Sequence, residues 1–272
     1  MNAKQFFSWA VAIAVSFGAL THNAQAATND WEVISTDDGF VTKRKSVEGS
    51  DILAFRGETI VDTPIAKILS VFLDASRRGE WVDKFHTSSE LTIKNEWERT
   101  YWIRFALPFP VSDRDYVLNA TAQVDEARRV VTANIKSVEH NKKPEDDCCV
   151  RASAMGTYYR FEAIPGTNKT KMEVEVHTDP KGMLPSWLVN IIQKKWPSKT
   201  LLGLAKVASD AAVEPHPAFI HWNDKELPAG LVQADKASPE VTAQAQDEAT
   251  EKKETAAEEV TGTVNKVEEP EG

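Results

Sequence analysis

Leu107-Pro108-Phe109-Pro110-Val111-Ser112-Asp113-Arg114-Asp115-Tyr116-Val117 is the stretch whose reading decides the fold of this chain. Two prolines stiffen a turn, an Arg-Asp pair follows, and Tyr-Val opens a strand with residues that favour one. A second block, His177-Thr178-Asp179-Pro180-Lys181-Gly182-Met183-Leu184-Pro185-Ser186-Trp187-Leu188-Val189-Asn190, ends a strand in a Pro-Gly turn and begins an apolar helix. A strand-rich body closed by one long apolar helix predicts a hydrophobic pocket under a helical cover. That arrangement suits carrying an apolar molecule better than cutting one.

Strand signals lie on both sides of the first block. Trp31 to Ile34, Phe40 to Ser46 and Asp51 to Val61 open the body. In the third of these Leu53, Phe55, Gly57, Thr59 and Val61 share a face. Asp62-Thr63-Pro64 predicts a helix start, and Ile65, Ile68, Leu69 and Phe72 give it an apolar stripe. Trp81 begins a connector, and Leu91 to Ile93 reads as a short strand. In Glu96 to Leu107 the residues Tyr101, Ile103 and Phe105 alternate with Trp102 and Arg104. In Asp115 to Gln123 Tyr116, Leu118, Ala120 and Ala122 share a face, and in Val130 to Val138 Val131, Ala133 and Ile135 do. Cys149 to Ala163 and Lys171 to Thr178 make the last hairpin. Sequential strands with short turns imply an antiparallel meander. Leu184, Trp187, Leu188, Ile191 and Ile192 give the closing helix its stripe, which Pro197 bends or breaks before Leu201, Leu204 and Val207 continue it. The fold class is α+β, with helices on one side of a curved sheet.

The two ends read differently from this body. Phe6 to Leu20 carries no charge, and Ala24-Gln25-Ala26 has the small-x-small form of a signal-peptidase site, so residues 1–26 read as a secretory leader. An exported protein, periplasmic or secreted, follows. Residues 223–272 read as an acidic, disordered tail: from Val232 onward eleven acids face four lysines, a net −7 of the chain's −9. Removing that tail and the leader's single positive charge leaves −3 for residues 27–231, and the stretch 27–222 is enough for one domain with a sizeable core. A body without a basic excess argues against a nucleic-acid partner.

Catalytic signatures are missing. No G-x-S-x-G elbow, H-E-x-x-H pair or Gly-rich phosphate loop occurs. The histidines of the body stand apart, so no metal and no cofactor is expected. Cys148 and Cys149 are adjacent. On a strand they would point to opposite faces, which makes a bridge between them poor. A vicinal disulfide and a bridge to another chain stay open, but the expectation is two thiols. Arg114 has two readings, a clamp on backbone carbonyls at a strand start, which is favoured, and a contact for a polar head group at a pocket mouth.

Together, Pro110-x-Ser112-x-Arg114-Asp115-Tyr116-Val117 and Asp179-Pro180-x-Gly182-x-Leu184-Pro185-x-Trp187-Leu188-Val189-Asn190 resemble the START family (steroidogenic acute regulatory protein-related lipid transfer). Asp62-x-Pro64 and Trp81 fit too, and the likeness spans about Trp31 to Ala208. The resemblance implies a helix-grip fold, a curved antiparallel sheet around the C-terminal helix with an apolar tunnel, and one bound lipid or sterol-like molecule. It does not extend to the acid–base pair of some cholesterol-binding relatives, whose positions fall at Tyr101 and Ala120. The expected lipid-binding residues are Tyr101, Ile103, Phe105, Tyr116, Leu118 and Ala120 on the sheet and Leu184, Trp187, Leu188 and Ile191 on the lid. Leu107 and Phe109 are expected to touch a membrane transiently during transfer, and the protein is expected to be a monomer. Two rivals remain: a cyclase-like enzyme of the helix-grip superfamily acting on an apolar substrate, and an interaction domain without a ligand.

Overall fold

The computed structural model describes residues 31–226. The expected leader and all but the first four residues of the expected tail lie outside them. Three strands come first, β1 (Glu32–Asp37), β2 (Phe40–Val47) and β3 (Ser50–Val61). Helix α1 (Ile65–Leu73), a 3-10 turn (Ala75–Arg77) and the one-turn α2 (Arg78–Trp81) follow. Then come β4 (Phe85–Asn95), β5 (Glu98–Phe105), β6 (Arg114–Asp125), β7 (Val130–Ser137), the two-residue β8 (Val150–Arg151), β9 (Ser153–Ile164) and β10 (Lys169–Asp179). The long helix α3 (Ser186–Ala208) and a 3-10 turn (Pro217–Phe219) complete the body.

The strands form one sheet in the order β1-β2-β3-β10-β9-β7-β6-β5-β4, antiparallel throughout except that β8 adds to β6 in parallel. A plain meander is therefore corrected. The segment containing α1 and α2 carries the chain from β3 to the far edge of the sheet, and the remaining strands run back until β10 meets β3. The strand expected at Leu91 to Ile93 is the eleven-residue β4. Its register slips three times against β5, between Phe85 and Thr87, Glu90 and Thr92, and Ile93 and Asn95. Each slip breaks the period-2 alternation that would have revealed the strand.

Helix α1 begins one residue after Pro64, with no side-chain cap of its own. The free Ile65 N–H instead donates to Asn223 Oδ1 at 3.0 Å. Asn223 also donates through Nδ2 to the Lys169 carbonyl at 2.8 Å, and its own carbonyl accepts from the Gly166 N–H at 2.9 Å. Arg129 donates to the carbonyls of Trp222 and Asp224. The packed body thus runs past the boundary expected at residue 222.

Helix α3 runs through Pro197 without a break. The proline lies on the buried face, over Gly57 of β3. A Cβ at Gly57 would stand 2.7 Å from Pro197 Cβ and 2.5 Å from the Phe40 ring, so only glycine admits this approach. Gly57 thereby serves helix packing and does not open pocket volume. The main core lies between α1, α3 and the sheet, with Ile65, Ile68, Leu69, Phe161, Leu201 and Leu204 almost fully enclosed. Enclosing each such side chain contributes about 1.5–3 kcal/mol. A second, smaller cluster on β5, β6, the β8–β9 link and the start of β9 holds Tyr101, Ile103, Tyr116, Leu118, Ala152 and Ala154.

Candidate functional site: a cavity between two cores

The two clusters do not fill the space between them. A cavity of about 230 Å³ opens there, lined by members of both. Three alanines on neighbouring strands, Ala120 and Ala122 of β6 and Ala133 of β7, keep its wall low. On the sheet side it meets every residue expected there, Tyr101, Ile103, Phe105, Tyr116, Leu118 and Ala120. Seven of the ten expected lipid-binding residues reach it, the seventh being Leu184.

Trp187, Leu188 and Ile191 do not. Trp187 is 65% exposed and Ile191 52%. The helix presents Val189, Ile192, Gln193 and Trp196 to the cavity instead. Along α3 the buried positions are Val189, Gln193, Pro197, Thr200, Leu201, Leu204, Ala205 and Ala208, which keep helical spacing but mix apolar with polar residues. Of the apolar stripe expected at the start of the helix, Trp187 and Ile191 face outward while Leu184 and Ile192 meet the cavity, so hydrophobicity alone did not pick out the docked face.

Two amide side chains explain why α3 docks this way. Gln193 Nε2 donates to the Thr178 carbonyl at 2.6 Å, and the Thr178 N–H donates back to Oε1 at 3.4 Å. Asn190 Oδ1 accepts from the Leu53 N–H at 2.9 Å, and its Nδ2 donates to the Asp51 carbonyl at 3.3 Å. Each amide satisfies backbone groups of β10 or β3 that the sheet leaves free. Asn190 was visible in the second sequence block, whereas nothing in the pattern marked Gln193.

Arg114 is a structural clamp. It is 5% exposed and donates from Nε to the Pro180 carbonyl (3.0 Å), from Nη1 to that of Ser112 (2.6 Å) and from Nη2 to that of Lys181 (3.0 Å). It borders the cavity, but these bonds occupy all three of its nitrogens. Gly182, at φ +72°, lies so close that a Cβ would stand 3.2 Å from Arg114 Nη2. Beside it, Asp115 accepts from Arg151 at two points and from Trp102 Nε1 at 2.7 Å. Asp113 accepts from the Leu107 N–H (3.0 Å) and pairs with Arg104 (2.6 Å), tying down the base of the 107–112 loop. The Leu107 amide first, then Arg104, hold its carboxyl below the usual range. Leu107 reaches the cavity from that loop, while Phe109 is 97% exposed at its tip.

Polar groups in the cavity are few. Burial pushes the Tyr116 hydroxyl up to about 12, against a smaller opposing effect of its bond with Thr178. Burial also raises Tyr101, and it raises Tyr159 well above the usual phenol value. All three are neutral at physiological pH. Arg78 stacks over Tyr101, 3.9 Å from the ring centre, and pairs with Glu90 at 2.7 Å. Arg78, Trp81 and Tyr159 also line the cavity and were not among the expected site residues; Arg78 carried no periodic signal, Trp81 read as the start of a connector, and Tyr159 lay unmarked within the strand expected at Cys149 to Ala163.

Cys148 and Cys149 are joined as a vicinal disulfide, which corrects the expectation of two thiols. They lie in a turn ahead of β8, not on the strand that was expected to begin at Cys149, so the opposite-face argument does not apply. Among the described residues, the donor atoms of Asp146 and these two cysteines cluster, but the sulfurs are bound to each other.

Comparison with known proteins agrees with this fold. The START domain family model matches residues 18–199, about two thirds of the chain. An uncharacterized protein of Pseudomonas aeruginosa is 27% identical over 190 residues, covering 67% of this chain and 89% of that one. Phosphatidylcholine transfer protein of Rattus norvegicus is 21% identical over 187 residues, covering 66% and 85%. In structure, human StAR-related lipid transfer protein 5 superposes with a TM-score of 0.61 at 20% identity, covering 66% of this chain and 87% of that one, a likeness of fold.

Proposed function

We propose, from the premise that this chain belongs to the START domain family, that it binds one lipid molecule in the cavity beneath α3 and transfers it between membranes. The observation that carries the reading is the unfilled space between two apolar cores, walled by Ala120, Ala122 and Ala133. Burying a few hundred Å² of ligand there at about 25 cal/mol per Å² contributes several kcal/mol, before the ordering cost of binding is subtracted. The ligand's apolar body would lie along Tyr101, Ile103, Phe105, Tyr116 and Leu118. Its polar end would find Arg78, Tyr101 and Tyr159. The phosphatidylcholine transfer proteins among the relatives favour a phospholipid over a sterol as the first ligand to try.

Exchange requires the start of α3 or the 107–112 loop to move. Phe109, Met183 and Trp187, all solvent-facing, are the groups proposed to touch a membrane while it does. Export to the periplasm or beyond, which rests on the sequence of residues 1–26, and a monomeric state complete the reading.

Native mass spectrometry of the protein purified from its own host, with lipid analysis of what it releases, tests the reading. One apolar species at near-stoichiometric amount is expected. A protein that carries nothing, and takes up neither phospholipid, fatty acid nor sterol, would overturn it. A Phe109→Asp variant that transfers lipid as fast as the parent would remove the membrane contact at that residue.

A further inference from the structure

The Cys148–Cys149 disulfide has no part in the lipid-binding role, yet its position connects it to the mouth of the cavity. It directly precedes β8, the short strand beside β6. Here the chain bonds to the residues on either side of Arg114. The Val150 N–H donates to the Asp113 carbonyl and the Ala152 N–H to the Asp115 carbonyl, both at 2.9 Å. Arg151 adds a two-point pair to the buried Asp115 carboxylate, Nε to Oδ1 at 3.0 Å and Nη2 to Oδ2 at 2.9 Å. Arg114, bracketed by these bonds, holds the carbonyls of Pro180 and Lys181. The next residue, Gly182, lies against Val150: a Cβ there would be 3.7 Å from Val150 Cγ1. Gly182 is in the turn that leads into α3. Contacts therefore run unbroken from the disulfide through β8 and Arg114 to the base of the lid helix.

We propose that the Cys148–Cys149 disulfide is a redox-sensitive clasp on the mouth of the cavity. Oxidised, it holds β8 and, through Arg114, the base of α3; reduced, it lets both loosen. The effect on lipid exchange rests on the carrier reading, but the clasp itself does not. The bridge closes a small ring around the one peptide unit between the two residues and fixes the torsions there. Once it opens, those torsions become free and their ordering adds to the cost of keeping β8 in place. The turn then keeps the Cys148 N–H bond to Asp146 Oδ1 (3.0 Å), the Lys143–Asp146 pair (2.6 Å) and the Arg151 bonds to the Lys143 and Pro144 carbonyls (both 3.3 Å), and a two-residue strand is short to hold it.

Cys148 is exposed, so a dithiol reductant reaches it. A thiolate of the reductant attacks the Cys148 sulfur, the S–S bond breaks and a mixed disulfide forms. The reductant's second thiol then displaces Cys148. Two electrons pass to the protein, both cysteines end as thiols after taking up protons, and the reductant leaves as its own disulfide.

The test is amide hydrogen exchange on the full chain, oxidised and after dithiothreitol, alongside the C148S/C149S double variant. Release of a fluorescent nitrobenzoxadiazole-labelled phosphatidylcholine to vesicles of unlabelled phosphatidylcholine is followed in the same samples. Reduction is expected to speed exchange at Val150, Ala152 and residues 181–188 about tenfold, as for a local opening. Amides of core strands β9 and β10 should hold, probe release should quicken, and reoxidation should restore both. The double variant should behave as the reduced protein and ignore dithiothreitol; if it fails to fold, reversible reduction of the parent chain still decides. Equal exchange of residues 181–188 in the two redox states would refute the clasp whatever the probe does. Cysteines that alkylate without prior reduction would refute it as well. Faster exchange with a probe that never binds would keep the clasp and sink the carrier reading.

Discussion

Replacing Ala120 by Leu separates a cavity from a filled core by the sign of its effect. Ala120 lies on β6 opposite Arg99 of β5 and Ile135 of β7, and it borders the space beneath α3. Leu adds three carbons. At about 0.8 kcal/mol per buried CH₂ their enclosure is worth about 2 kcal/mol. The cavity, at about 230 Å³, has room for them without moving a neighbour. The ligand-free variant should therefore be more stable than the parent by about 2 kcal/mol, seen as a higher urea midpoint at unchanged slope. Its thermal midpoint should rise by about 4–8 °C for a domain of this size. The same carbons occupy space meant for the ligand, so lipid uptake should fall in the variant that unfolds later. A well-filled interior predicts the reverse, a loss of about 1–3 kcal/mol from overpacking. Destabilisation of that size, or stabilisation with lipid uptake intact, would refute the reasoning.

Gly57→Ala should cost about 1–3 kcal/mol in urea unfolding, because its methyl meets Pro197 and the Phe40 ring below 3 Å. Asn223→Ala should cost about 1–2 kcal/mol by the same assay, since it leaves the first N–H of α1 without its partner 158 residues away. The buried tyrosines give a pH signature. With Tyr116 at about 12 in the folded protein and near 10 when unfolded, the unfolded chain loses its proton first, so stability is full below about pH 10. Between about pH 10 and about 12 it should decline by about 2–3 kcal/mol for this residue. Tyr116→Phe should flatten part of that decline in alkaline urea titrations; an unchanged slope would contradict the burial.

The sheet side of the site was legible because strands announce their faces: a period of two leaves little choice once Tyr101, Ile103 and Phe105 alternate with Trp102 and Arg104. The same logic failed at α3, where the docked face is chosen by Asn190 and Gln193 bonding to strand backbones and not by hydrophobicity. A helix whose apolar residues face solvent at one end misleads any reading by pattern. Edge strand β4 was hidden by its three register slips. The cap of α1 and the closure of β3 onto β10 were hidden because their partners are distant in sequence, and a local reading has no access to them.

The pairing of β3 with β10 also constrains how the chain can reach this shape. Arg56 and Glu175, bonded across that seam, are 119 residues apart. During synthesis the first three strands emerge with one flank exposed, and they stay so until the last strand is made. The long helix that seals the core comes later still. High contact order of this kind slows folding into the millisecond-to-second range, and an unpaired strand flank is a template for association with other chains while it waits. Fragments ending before β10 should accumulate as aggregates, and the intact chain should depend on being kept apart from its neighbours until its final segment arrives.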